Sequence, residues 1–180
     1  RTRIFNANTR PEVKDLGALL RAMGAEVIVR NRVVEVEPPE QMRGCDFSIM
    51  SGWDEALTYI IASALTGGEL CVKNLSLDYI QHDTTILRQM GLDVFEWGGS
   101  VYASAKQRAL RPFDLFTGPY PAVNSDMQPI FAALATSCQG ESCITDQRFT
   151  ERFAYVAELR KLGVDIESYG NSAIIKGGQR

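Results

Sequence analysis

Few residues in this chain have the type and placing to do chemistry. The most suggestive stretch is Gly118-Pro119-Tyr120-Pro121-Ala122-Val123-Asn124-Ser125-Asp126-Met127-Gln128-Pro129. Its carboxylate, Asp126, sits where an apolar helix begins. Ser125 followed three residues later by Gln128 reads as a capping box, with Ser125 at the N-cap and Gln128 reaching back. An acidic residue in a first helical turn is also favoured by the helix dipole. A capped helix start also holds a carboxylate rigidly. A second group follows: Arg148, Phe149 and Arg152, between a strand and the next helix. Guanidinium groups hold anions. On local grounds the same residues read as an exposed arginine, a core phenylalanine, and an Arg152 paired with Glu151 or Asp146.

Other chemistries are poorly supplied. Cys45, Cys71, Cys138 and Cys143 form no Cys-x-x-Cys pair, and His82 is the one histidine. A zinc site of the usual Cys/His kind is therefore not expected, nor any other metal. The cysteines read as reduced, mostly buried thiols of a cytoplasmic protein. His82 reads as an exposed helix residue. The chain has 180 residues and a net charge of −3, against a dominant nucleic-acid footprint. Hydrophobic residues make up 45% of it, enough for a core. No apolar run approaches the roughly 20 residues of a membrane span. The chain begins at Arg1 rather than Met, so its first residue is not expected to be a native start.

The elements that must position these residues show themselves as a repeat. Leu20-Arg21-Ala22-Met23-Gly24 recurs as Leu87-Arg88-Gln89-Met90-Gly91 and as Leu159-Arg160-Lys161-Leu162-Gly163. The glycines are 67 and 72 positions apart, a period that implies a repeated supersecondary unit. After each glycine come two short runs: Ala25–Val29 and Arg32–Val36, Leu92–Phe95 and Ser100–Ala103, Val164–Glu167 and Ser172–Ile175. Arg30-Asn31, Gly98-Gly99 and Gly170-Asn171 separate the runs. This reads as helix, glycine cap, then β-hairpin. The preceding half repeats as well, with Gly68 matching Gly140 and Cys71 matching Cys143. Before those glycines lie helices apolar on most sides, near 55–66 and 127–138, expected inside a core. The later helices carry one stripe each: Val13, Leu16, Leu19, Leu20 and Met23 in one, Phe153, Val156, Leu159 and Leu162 in another. The expected class is α+β, built of β-α-β-α-β-β units. Two full units, about 46–105 and 113–178, follow a trailing half unit, about 3–37. The division expected is 1–45, a half repeat of a neighbouring domain plus linker, and 46–180, two units of a second domain. An unpaired half unit leaves an apolar face open, which the simplest reading explains by a longer parent protein.

The segment 118–129, with Ile144-Thr145-Asp146-Gln147-Arg148-Phe149-Thr150-Glu151-Arg152-Phe153, resembles the enolpyruvyltransferase family. There a Pro-x-Pro stretch leads into Thr-Asp-Met/Leu-Gln, and a later strand leads to a Phe-x-x-Arg-Phe helix start. The resemblance runs along the whole chain but covers only the middle to later part of a family enzyme. It implies an inside-out α/β barrel of six such units in two domains. It also implies transfer of the enolpyruvyl group of phosphoenolpyruvate to a hydroxyl, with release of phosphate. The implied acceptor is UDP-N-acetylglucosamine, in cell wall precursor synthesis in the cytoplasm. By resemblance Asp126 is the general base, and Ser125, Arg148 and Phe149 bind the acceptor. No cofactor, nucleic acid or membrane is implied, and the remainder of the same enzyme is the expected partner. The family's catalytic Cys, its Lys-Asn pair and its late Arg fall outside this chain, so the chain alone is expected to be inactive. Departures include Trp53 for the family Arg, Val123-Asn124-Ser125-Asp126 for Phe-Pro-Thr-Asp, and Phe149-Thr150-Glu151-Arg152-Phe153 for Phe-Glu-Asn-Arg-Phe. They leave open another nucleotide, a shikimate-like acceptor, or a catalytically incomplete nucleotide-binding domain. An RNA phosphate cyclase shares the repeated fold but does not suit the acidic charge or the absent histidine pattern.

Overall fold

The computed structural model describes residues 1–106 and 109–178. The chain divides into two compact units, Arg1–Ser51 and Gly52–Arg180.

In the first unit β1 (Thr2–Ile4), α1 (Pro11–Ala22), β2 (Glu26–Arg30) and β3 (Val33–Glu37) follow one another. The strands form an antiparallel sheet in the order β1-β3-β2. Pro11 opens α1, where its missing N–H costs nothing. The stripe expected on α1 is only half-buried, and Leu16 is exposed. Gly17 is the buried residue of the stripe's face, because a methyl group there would already touch Val27 Cγ1 at 3.4 Å. Ala25, Val27 and Val34 form the small core, with Ala7, Leu20, Val29 and Val36 packed against it.

The second unit begins with α2 (Trp53–Leu65) and continues through β4 (Glu69–Lys73), α3 (Gln81–Met90), β5 (Asp93–Trp97) and β6 (Ser100–Ser104). Then come β7 (Asp114–Thr117), α4 (Gln128–Ala135), β8 (Glu141–Asp146), α5 (Ala154–Lys161), β9 (Asp165–Tyr169) and β10 (Ser172–Lys176). Its sheets run β4-β6-β5 and β7-β8-β10-β9. Among the described residues each sheet thus places the later hairpin strand at an inner position. β7 adds a fourth strand to the last, parallel to β8. The leading strand expected for the earlier unit is missing: residues 46–51 carry no strand. The Met50 N–H there points to the Asp15 carboxylate, at 3.4 Å, rather than to a strand neighbour.

The repeated Leu-Arg-x-x-Gly has a common structural cause. Gly24, Gly91 and Gly163 take φ of +101°, +112° and +85°, a region glycine enters without a Cβ penalty. In each case the next residue's N–H returns to the last helical turn: Ala25 to Leu20 O, Leu92 to Leu87 O, Val164 to Leu159 O. The arginine three places before each glycine donates to the hairpin that follows. Arg21 reaches Val27 O at 3.0 Å, Arg88 reaches Val94 O at 2.8 Å, and Arg160 reaches Ile166 O at 2.6 Å. The motif therefore locks helix to hairpin.

The main core lies where α2 packs on α4, β4 and β6. Leu57, Ile60, Ile61, Phe131 and Leu134 are fully buried there, and the Phe113 and Phe131 rings meet edge to face at 5.9 Å. α4 follows the expectation of a helix buried on most sides. α2 does so on one side only, since Glu55, Tyr59, Ala62 and Leu65 form an open strip. Its cover comes from α4, β4 and β6.

Candidate functional site

The parallel pairing of β7 and β8 sets Thr117 beside Asp146, each the last residue of its strand. Both are buried. After β7 the chain passes through a cis Tyr120–Pro121 bond and reaches a short 3-10 turn, Ser125–Met127, which runs into α4. After β8 it turns through residues 147–153 into α5.

The cap of this helix start differs from the expected box. Asn124, not Ser125, is the N-cap, and its Oδ1 accepts from the Asp126 N–H at 3.3 Å. Ser125 is buried and faces inward: its hydroxyl donates to Asp146 Oδ1 at 3.2 Å, with Thr117 Oγ1 at 3.4 Å. Ser125, expected among the acceptor-binding residues, thus directs its hydroxyl into the interior. Gln128 does not reach back to a cap either. It is fully buried, and its Nε2 donates to Asp146 Oδ2 while its Oε1 accepts from the Tyr155 hydroxyl at 3.3 Å. The physical reason is burial: an amide and a hydroxyl enclosed beside a carboxylate must bond it rather than the exposed chain end.

Asp146 is the hub. Its Oδ1 also accepts from the N–H groups of Arg148 at 2.8 Å and Phe149 at 3.1 Å. Its own N–H donates to Asn171 O at 2.8 Å, and its carbonyl accepts from Asn171 Nδ2 at 3.0 Å. Burial pushes the Tyr155 phenol well above its ordinary range, and the charge of Asp146 adds to that.

The exposed rim above this network carries the expected reactive groups. Asp126 points outward and pairs with Arg152 Nη1 at 2.7 Å, the two side chains being 58% and 49% exposed. Asn124 Nδ2 donates to its other oxygen at 3.2 Å. Arg152 was expected to meet Glu151 or Asp146. It meets Asp126 instead, because the turn after β8 folds back over the start of α4. Phe149 is 39% exposed, with Arg148 Cζ at 5.0 Å and Arg152 Cζ at 4.9 Å from its ring centre. The core phenylalanine of this stretch is Phe153. The structure therefore brings Asp126, Arg148, Phe149 and Arg152 together. It offers a solvent-open carboxylate for a proton, an aromatic face for a flat ring, and two cations for an anionic group.

The family model for EPSP synthase (3-phosphoshikimate 1-carboxyvinyltransferase) matches residues 1–180, and the chain belongs to that family. Among curated proteins it is 35% identical over 179 residues to the UDP-N-acetylglucosamine 1-carboxyvinyltransferase of Sorangium cellulosum (strain So ce56), covering 99% of this chain and 42% of that protein. It is 37% identical over 176 residues to the enzyme of the same name from Wolbachia pipientis subsp. Culex pipiens (strain wPip), covering 98% of this chain and 41% of that protein. Among solved structures it resembles the enolpyruvyl transferase NikO from Streptomyces tendae, with TM-score 0.86 and 24% identity over 98% of this chain and 42% of that one. It also resembles an EPSP synthase from Acinetobacter baumannii, with TM-score 0.73 and 18% identity over 99% of this chain and 43% of that one. These likenesses establish the fold. The chain spans about two fifths of the length of the curated relatives it matches.

Proposed function

We propose that this chain is part of an enolpyruvyltransferase that joins phosphoenolpyruvate to a hydroxyl of UDP-N-acetylglucosamine. The acceptor oxygen bonds the central carbon of phosphoenolpyruvate, and the methylene carbon takes up a proton. Loss of that proton and of the phosphate restores the double bond, leaving an enolpyruvyl ether and inorganic phosphate. The observation that carries this reading is the placing of Asp126: a solvent-open carboxylate, fixed by Arg152 at 2.7 Å and by Asn124 at 3.2 Å, next to an exposed aromatic ring. Asp126 accepts the hydroxyl proton. Phe149 offers its face to the acceptor's flat base, and Arg148 and Arg152 pair with the acceptor's phosphates. Ser125 serves the acceptor indirectly, by holding the helix start from within.

The names of the relatives support the acceptor, and the family supports the type of transfer. The cations that grip phosphoenolpyruvate and the acid that protonates it come from the rest of the enzyme, so the 180-residue chain by itself does not turn over. The reaction runs in the cytoplasm, where both substrates are soluble. The test uses the full-length protein containing this chain, with phosphoenolpyruvate and either UDP-N-acetylglucosamine or 3-phosphoshikimate, and follows phosphate release. Release that depends on the nucleotide sugar supports the reading. Release that depends on 3-phosphoshikimate instead overturns the acceptor while keeping the transfer.

A further inference from the structure

The transfer mechanism above makes no use of Asp146, yet it is the most heavily bonded side chain near the rim. A buried carboxylate is costly unless its oxygens are satisfied. Here the donors that satisfy it come from the two segments that carry the site. Ser125 and Gln128 bracket Asp126 at the start of α4. The Arg148 and Phe149 N–H groups belong to residues that form the rim itself. One carboxylate therefore sets the position of the proton acceptor against that of the acceptor-binding ring and guanidinium. Buried as it is, Asp146 touches no substrate.

We infer that Asp146 is a positioning residue for the transfer site, fixing the Asp126 helix start and the 148–152 turn in one geometry. The inference rests on the proposed function for its kinetic test but has a readout of its own. The network also allows a repair. With Asp146→Asn and Gln128→Glu together, the amide and the carboxylate exchange places. Asn at 146 can still accept from the Arg148 and Phe149 N–H groups and donate to the new carboxylate. That carboxylate can accept from Tyr155 and Thr117. Every hydrogen bond is kept while the charge moves.

In the full-length protein, Asp146→Ala should lower kcat about 100-fold and raise the acceptor KM, the scale expected when a base and its substrate lose alignment. The exchanged double variant should recover to within about tenfold of the parent, whereas Gln128→Glu alone, with two carboxylates facing each other, should not. A merely stabilising role would leave kcat and KM unchanged well below the melting temperature. Unchanged kinetics in Asp146→Ala overturn the inference. If that variant does not fold, equal turnover in Gln128→Glu and in the double variant overturns it. If the parent shows no transfer with phosphoenolpyruvate and UDP-N-acetylglucosamine, the proposed function fails and amide hydrogen exchange decides the positioning. The Arg148 and Phe149 amides should be protected in the parent, lose protection in Asp146→Ala or Gln128→Glu, and regain it in the double variant. Protection that is the same in all of them contradicts the inference.

Discussion

Replacing Asp126 by Asn in the full-length protein separates a catalytic carboxylate from a structural one. The structural loss can be bounded. The ion pair with Arg152 is half-exposed on both sides, and such pairs contribute about 0–1 kcal/mol. The favourable placing of a negative charge in the first helical turn is worth about 0.3–1 kcal/mol. The cap itself survives, because it uses the Asp126 main-chain N–H and the Asn124 side chain. The new amide oxygen can still accept from Asn124 Nδ2. Stability should therefore fall by about 1 kcal/mol, readable as a small shift in a melting curve. Turnover should fall by about 100-fold or more, the usual range for losing a general base, which corresponds to at least about 2.7 kcal/mol of barrier. The acceptor KM should change little, since the ring and both arginines remain. The assay is phosphate release at saturating phosphoenolpyruvate, beside a thermal melt of the same preparation. Near-parental turnover in a folded Asp126→Asn variant would refute the assignment and leave Asp126 as a helix-start residue alone.

Two further perturbations test the fold. A methyl group at Gly177 would lie 2.3 Å from the carbonyl oxygens of both Ala135 and Cys138, so Gly177→Ala must push β10 away from the end of α4. It should destabilise by about 3 kcal/mol in a denaturant titration while leaving turnover per folded molecule unchanged. Asp83 is buried in the first turn of α3, with Oδ1 unpartnered among the described residues, and burial pushes its carboxyl up to about 7. The folded state then holds a proton that the unfolded chain releases near pH 4. Stability from this group is present in acid, falls as pH rises, and levels off above about 7. Between pH 5 and pH 8 the loss should be roughly 2–3 kcal/mol, and Asp83→Asn should abolish it. A pH dependence unchanged in Asp83→Asn would contradict that reasoning.

How much of this was legible in the sequence differs from element to element. The helix–glycine–hairpin units were readable because their causes are local. Gly24, Gly91 and Gly163 sit where only a left-handed residue closes the helix, and Arg21, Arg88 and Arg160 repeat one bond to the hairpin. The turns were placed to within a residue: Asn31 and Arg32, both at positive φ, form the first, where Arg30-Asn31 was expected. What depends on partners distant in the chain was not legible. The open strip on α2 reflects what packs around it, not its composition. Phe149 and Phe153 look alike in Arg-Phe-Thr-Glu-Arg-Phe, and the start of α5 at Ala154 decides that Phe153 goes inside. Asp146 reads locally as a surface residue before a turn. It becomes a hub because Thr117, Ser125 and Gln128, 18 to 29 positions earlier, enclose it. The available signal was the cluster of small polar residues at the ends of two apolar strands, where burial leaves hydroxyls, amide and carboxylate no partners but one another. Arg152 links Asp126 to the Phe149 ring, a contact that depends on the turn after β8 and that the local sequence does not show.

The central claim is tested most directly by one measurement. The full-length protein containing this chain is mixed with phosphoenolpyruvate, with and without UDP-N-acetylglucosamine, and phosphate and the nucleotide product are followed together. The account predicts phosphate release that requires the nucleotide sugar and matches, mole for mole, the appearance of its enolpyruvyl ether. Phosphate release that ignores the acceptor, or no product from a folded protein at saturating levels of both substrates, would contradict it.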